Sequence, residues 1–195
     1  MKPIIESCLN CVPYKLGSQL GYGAHGEVFE VQEQPSKAVK VSVLYDAYDV
    51  PIDDMFATIN HTHSYLKGKC IFPLAPIYEF AKISEGHRDT VSGKQKYIVY
   101  YCVMDKLQPL SEDEKKVLKT ICDVYNKNVK QTKPMKDILK DLSSWFCFDQ
   151  AKVLEFYEML LACPIQHNDV HRRNILKDSN NNFRLIDFDR SCLNG

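Results

Sequence analysis

The residues best suited to chemistry are one early lysine and three late carboxylate or carboxamide side chains. Asp169 and Asn174 lie in His167-Asn-Asp-Val-His-Arg-Arg-Asn174, shortly after a helical stretch that Pro164 stops. A carboxylate there can orient an attacking hydroxyl or accept its proton. A carboxamide oxygen can ligate magnesium. Asp187 ends the apolar run Leu185-Ile186, and a hairpin between the two segments can return it to Asn174, so that both grip one metal ion. Lys40 sits in the apolar strand Ala38-Val-Lys-Val41; an inward ammonium needs an anion, which nucleotide phosphate would supply. Gly21-Tyr-Gly-Ala-His-Gly26-Glu-Val28 falls between two strands, and glycines there let main-chain amides approach phosphate oxygens. A dinucleotide-binding turn would need a helix next, whereas Glu27–Val31 reads as strand. Each feature alone has an ordinary reading: a glycine hairpin, a lysine on an edge strand, acids in turns or caps. Their conjunction and order point to chemistry.

The elements that must position these residues divide the chain in two. The first part predicts strands over Lys15–Gly21, Gly26–Gln32, Lys37–Leu44, Ile77–Lys82 and Lys96–Met104, with 84–93 as a hairpin loop. Ile52, Met55, Phe56, Ile59 and Leu66 have helical spacing after Pro51, giving one helix. The second part predicts helices. Ser111-Glu-Asp-Glu114 has the form of a capping box ahead of Val117, Leu118, Ile121, Val124 and Tyr125. Pro134 opens a helix with Met135, Ile138, Leu139, Leu142, Trp145 and Phe146 inward. A third, Gln150–Ala162, turns Val153, Leu154, Tyr157, Leu160 and Leu161 inward. Two short strands, Ile175–Lys177 and Phe183–Ile186, follow.

Composition removes several function classes. Of 195 residues, 25 are Lys or Arg and 25 are Asp or Glu, so no bulk charge favours nucleic acid or an anionic membrane. The hydrophobic share of 45% is too high for a disordered chain, and no apolar run is long enough to span a bilayer. The opening residues lack the apolar core of a signal peptide. The eight cysteines are scattered, several within apolar runs, as buried free thiols are in a reducing compartment. Cys8 and Cys11 form the one C-x-x-C; with His61 and His63 they could complete a zinc site, but two unpaired thiols is the favoured reading.

Taken together, the motifs resemble those of a eukaryotic-type protein kinase: glycine-rich loop, third-strand lysine, H-x-D-x-x-x-x-N loop and D-F-G-like element, over residues 14 to 190. The resemblance implies an α+β bilobal fold. A five-stranded antiparallel N-lobe with one helix (residues 1–104) would bind nucleotide, and a severely reduced helical C-lobe (105–195) would carry the catalytic loop and metal site. It further implies ATP and Mg2+ as cofactors. Gly21, Gly23 and Gly26 would cover the phosphates, Val28 and Ala38 would sandwich adenine, and Lys40 would hold the α- and β-phosphates. Met104 falls at the gatekeeper position with Asp105-Lys-Leu107 as hinge. Asp169 is the catalytic aspartate by this resemblance; Asn174 and Asp187 hold magnesium.

Several positions depart from that pattern. No glutamate lies between Glu33 and Glu79, so the usual partner of Lys40 is missing, with Asp53, Asp54 or His63 as substitutes. His171 stands where serine/threonine kinases carry lysine, and D-x-H-x-x-N also occurs in aminoglycoside and choline kinases. His171 is therefore a further candidate catalytic residue. Asp189 replaces the D-F-G glycine, and the chain ends at Gly195 without an activation loop, so constitutive or partner-driven activity is expected. A kinase this small resembles the HopBF family of bacterial type III secretion effectors. That resemblance implies a monomeric serine/threonine kinase secreted into the host cytosol, which phosphorylates and inactivates the ninety-kilodalton heat-shock chaperone. Neither nucleic acid nor membrane is expected as a partner. The rival readings are a small-molecule phosphotransferase and a pseudokinase binding module.

Overall fold

A computed structural model describes residues 2–23, 25–46, 50–127 and 134–193. They form two compact units, one of residues 1–69 and 76–106, the other of 70–75 and 107–195. The second unit thus takes in Cys70–Ala75 from the middle of the first. A boundary at Met104 would cut the last strand of the first unit, which runs to Asp105.

The first unit is built on a five-stranded antiparallel sheet. Its strands are β1 (Leu16–Tyr22), β2 (Gly26–Val31), β3 (Gln34–Tyr45), β4 (Ile77–Thr90) and β5 (Gly93–Asp105), in the order β1-β2-β3-β5-β4. Two helices, α1 (Lys2–Cys8) and α2 (Ile52–Leu66), accompany it. Strand alternation sends Val39, Val41 and Val43 of β3 and Val99, Tyr101 and Val103 of β5 to one face, where Ile5, Cys8 and Val12 cover them. On the opposite face α2 packs Phe56 and His63 onto β4 and β5, His63 stacking on Phe80 with centroids 4.4 Å apart. With both faces covered, β5 is buried from Ile98 through Met104, which is why it reads as an unbroken apolar run.

Two expectations for this unit need correction. There is a second helix, α1, whose seven residues are too few to show a helical period and bury only Ile5 and Cys8. Residues 84–93 are not a loop: β4 and β5 stay paired to Thr90–Gly93, and Gly93 takes φ 116° at the tight turn. Their polar residues are stabilised across the hairpin. The Arg88 guanidinium lies 3.8 Å from the Tyr45 ring and donates twice to Gln95 Oε1, at 2.9 and 2.6 Å.

The second unit holds α3 (Glu112–Lys127), α4 (Met135–Leu142) and α5 (Gln150–Leu161), with two small antiparallel pairs, β6 (Ile165–Gln166) with β9 (Cys192–Leu193) and β7 (Ile175–Lys177) with β8 (Phe183–Leu185). The capping box of α3 is formed in both directions: Ser111 N donates to Glu114 Oε2 at 2.7 Å and Glu114 N to Ser111 Oγ at 3.2 Å. Asp149 caps α5 by accepting from Ala151 N and Lys152 N. The core joins Val117, Leu118 and Ile121 of α3, Val153, Phe156 and Leu160 of α5, and Ile175, Phe183 and Leu185 of the β7–β8 hairpin. Phe156 meets Phe183 edge-on at 5.9 Å, and its truncation to alanine would cost about 3–5 kcal/mol.

Two inward assignments fail here. Trp145 is 81% exposed because α4 stops at Leu142, before the stripe reaches it. Leu161 is 60% exposed and Leu154 only half-buried, while Phe156 is fully buried. The buried stripe of α5 is Val153, Phe156, Tyr157 and Leu160, which keeps strict i, i+3, i+4, i+7 spacing.

Candidate functional site

In the first unit, register places the expected nucleotide-binding residues on one sheet face. Gly21 lies opposite Val28, Val28 opposite Lys40, and Lys40 opposite Cys102. Two residues along, Ala38 lies opposite Met104. Directly opposed residues share a face, as do residues two apart on a strand, so Val28, Ala38, Lys40 and Met104 line one surface. Ala38 and Met104 are buried; Val28 and Lys40 are half-buried.

The three loop glycines differ. A Cβ on Gly26 would meet Val41 O at 2.7 Å and Ser42 Oγ at 2.8 Å, so the backbone of β3 alone requires glycine there. At Gly21 and Gly23 a Cβ would meet nothing within 4 Å, and neither has a positive φ. Among the described residues, no packing contact explains those two. The turn closes through Gly23 N donating to Gly26 O at 2.8 Å; Ala24, inside the motif, lies outside the described residues.

Asp105, expected at the hinge, is committed within the first unit. Its carboxylate accepts from Lys37 Nζ at 2.7 Å and from Tyr78 Oη at 2.9 Å, so a ligand there would meet main chain. Leu107 opens the second unit, half-buried. Of the substitutes considered for the missing glutamate, Asp53 is bound to Lys96 Nζ at 2.8 Å, and His63 is buried against Phe80.

In the second unit, the loop between β6 and β7 and the segment after β8 are tied together. Asn174 is buried and donates from Nδ2 to Asp169 O at 3.1 Å and Asp169 Oδ2 at 3.2 Å. Ile186 N donates to Asn174 O at 2.8 Å, so the β7–β8 hairpin returns the chain beside Asn174 just before Asp187. Asp187 takes φ 68°, ψ 73°, a left-handed conformation that aspartate tolerates and that clusters at functional positions. Asp189 lies in the 3-10 turn Phe188–Arg190, so no glycine is needed at that position.

His171 is half-buried beside Asp169. Its Nδ1 accepts from Arg173 N at 3.2 Å, and its Nε2 is 3.6 Å from Asp169 Oδ2. Asn174 leaves its carboxamide oxygen for another partner, and Asp187 brings a carboxylate to the adjacent chain. Such hard oxygen donors suit Mg2+, which takes only one or two protein ligands beside phosphate and water. No cluster of three or more His, Cys, Asp or Glu side chains able to hold a metal occurs among the described residues.

Two side chains absent from the sequence-level site organise this loop. His167, 1% exposed, donates from Nε2 to Ile186 O at 2.8 Å and packs edge-on to Phe188 at 5.5 Å. Burial holds its imidazole below the usual histidine range, despite the Ile186 carbonyl and the nearby Asp187 and Asp169. Asn126 of α3 donates to Val170 O at 2.7 Å, fixing the loop from outside. The signal for His167 was its place at the head of H-x-D; Asn126 had none.

No family model matches the sequence, and no curated protein matches it. Among solved structures, the ROP18 kinase domain in complex with AMP-PNP and sucrose is similar, with TM-score 0.50 and 16% sequence identity, over 92% of this chain and 52% of that one. The fold is protein-kinase-like. The α+β architecture, with a five-stranded antiparallel sheet and a reduced helical part, agrees with the expected class. The chain spans about half the length of that neighbour.

Proposed function

We propose that this protein is a Mg-ATP-dependent phosphotransferase. The observation that carries the reading is the Asp169–Asn174–Asp187 arrangement: a carboxylate held by a carboxamide, with a second carboxylate delivered in a left-handed backbone beside it. Two glycines without an intramolecular reason, on the turn ahead of Val28 and Lys40, support it from the other unit. The similar ROP18 structure holds a nucleotide analogue, AMP-PNP.

In the proposed reaction the acceptor oxygen bonds to the γ-phosphorus as the bond to the β–γ bridging oxygen breaks. ADP leaves with that electron pair. Asp169 orients the acceptor hydroxyl and takes its proton. Lys40 neutralises phosphate charge; Asn174 and Asp187 would hold Mg2+, which would supply further neutralisation when bound.

The finer reading is a serine/threonine protein kinase of the HopBF type, delivered into a host cytosol, with the ninety-kilodalton heat-shock chaperone as acceptor. Overall size and the catalytic-loop variant are what support it. His171 favours a second reading, transfer to a small molecule such as an aminoglycoside or choline. Incubation with γ-labelled ATP, Mg2+ and eukaryotic lysate separates them: one labelled protein band supports the first, label in the small-molecule fraction the second. Asp169→Ala is expected to abolish transfer while leaving nucleotide binding intact, and Lys40→Met to weaken transfer severely. Full transfer by Asp169→Ala would falsify the mechanism.

A further inference from the structure

Asp169 presents two unequal oxygens. Oδ2 accepts from Asn174 Nδ2 at 3.2 Å and lies 3.6 Å from His171 Nε2, whereas Oδ1 takes no hydrogen bond from Asn174. The tautomer of His171 is set from its other side. Arg173 N–H donates to Nδ1 at 3.2 Å, so the neutral imidazole carries its proton on Nε2, toward the carboxylate. The Nε2 separation exceeds a hydrogen bond, as catalytic contacts do before substrate tightens them. The Arg173 amide also restrains the ring, and the His171 main chain is held by Asn174 N donating to its carbonyl at 2.8 Å.

Resting on the phosphotransferase reading, we propose that His171 is a positioning residue. Its Nε2–H and the Asn174 carboxamide together hold Oδ2 of Asp169 and turn Oδ1 toward the acceptor hydroxyl. The proton leaving that hydroxyl goes to Oδ1 as oxygen bonds to the γ-phosphorus and ADP departs. A neutral imidazole N–H orients the carboxylate without the fixed cation a lysine would set beside it, which would lower its basicity.

The competing role is structural: His171 caps the 3-10 turn Arg172–Asn174 through Nδ1. Two variants separate the roles. His171→Gln retains a donor at the reach of Nε2 but loses the short cap acceptor; His171→Asn keeps the cap and loses the reach. With Mg-ATP and water as acceptor, His171→Asn is expected to lower kcat about ten- to a hundredfold, with KM for ATP and Tm unchanged. His171→Gln is expected to retain most of kcat despite a lower Tm.

Nitrogen-15 NMR of the full chain gives a readout independent of turnover, with Nε2–H expected at His171. An Nδ1–H tautomer, unchanged kcat in His171→Asn, or losses in both variants that simply follow Tm would each overturn the positioning role alone. An unaltered chain that neither binds nor turns over Mg-ATP would overturn the phosphotransferase reading, and this inference with it.

Discussion

Asn174 and Asp169 are joined twice, the Asn174 carboxamide N–H group reaching both the main-chain oxygen and the carboxylate of Asp169. Because the Asn174 carbonyl also accepts from Ile186 N, one buried residue couples the loop before β7 to the segment after β8. Asn174→Ala removes both side-chain bonds. It is expected to cost about 1–3 kcal/mol of stability and to abolish phosphoryl transfer. Calorimetry and a γ-phosphate transfer assay check the two effects; an unchanged Tm would show that the side-chain bonds contribute nothing.

The loop glycines should separate by mechanism. Gly26→Ala forces a Cβ into the β3 backbone and should destabilise the first unit by about 1–3 kcal/mol. Gly21→Ala and Gly23→Ala meet open space, so Tm should hold while KM for ATP rises. Thermal melts and nucleotide titrations of the three variants test this. Equal destabilisation in all three would remove the ligand explanation for Gly21 and Gly23.

His167 predicts an acid sensitivity whose sign follows from burial. The folded chain holds the imidazole below its ordinary 6.5, while the unfolded chain titrates near that value. Below it the unfolded state takes up a proton that the folded state refuses, so stability is full above about pH 6.5 and declines as pH falls through the folded-state value. Melts between about pH 7.5 and 5.5 should show the decline. His167→Gln, which preserves a donor for Ile186 O, should flatten it.

Cysteine reactivity should follow burial. Cys11, Cys70 and Cys147 are exposed, whereas Cys8, Cys102, Cys122 and Cys163 are buried. Burial pushes the Cys122 thiol up to about 12 and raises Cys163 as well, so little thiolate forms at either. Alkylation of the native protein read by mass spectrometry should mark the first three quickly and the other four only after denaturation.

Much of this architecture is legible in the sequence because its signals are local. The run Ile98–Met104 announces a strand covered on both faces, Ser111 and Glu114 announce the start of α3, and Asp178 with three asparagines announces the β7–β8 turn. What escapes is set by partners distant in sequence. Polar residues 84–90 become strand because Gln95 and Tyr45 meet Arg88. Trp145 leaves the α4 stripe because the helix ends first. Strands β6 and β9, two residues each, carry no periodicity, and only pairing defines them. For the site, residue types were legible but divided roles were not. Gly26 has a packing reason that Gly21 and Gly23 lack, and the constraint on His171 comes from the Arg173 amide, which no side-chain pattern reveals.

The packing of α1 bears on how the protein is made. Ile5 and Cys8 share a core with Val99, Tyr101 and Val103 of β5, so they leave the ribosome long before their partners exist. Until β5 emerges, α1 has only the valines of β3 to rest on, and the Val99, Tyr101 and Val103 part of their shared core is missing. Docking of α1 is therefore completed only after β5 is made, despite the early synthesis of α1, and nascent chains paused before β5 should be the species most prone to chaperone capture.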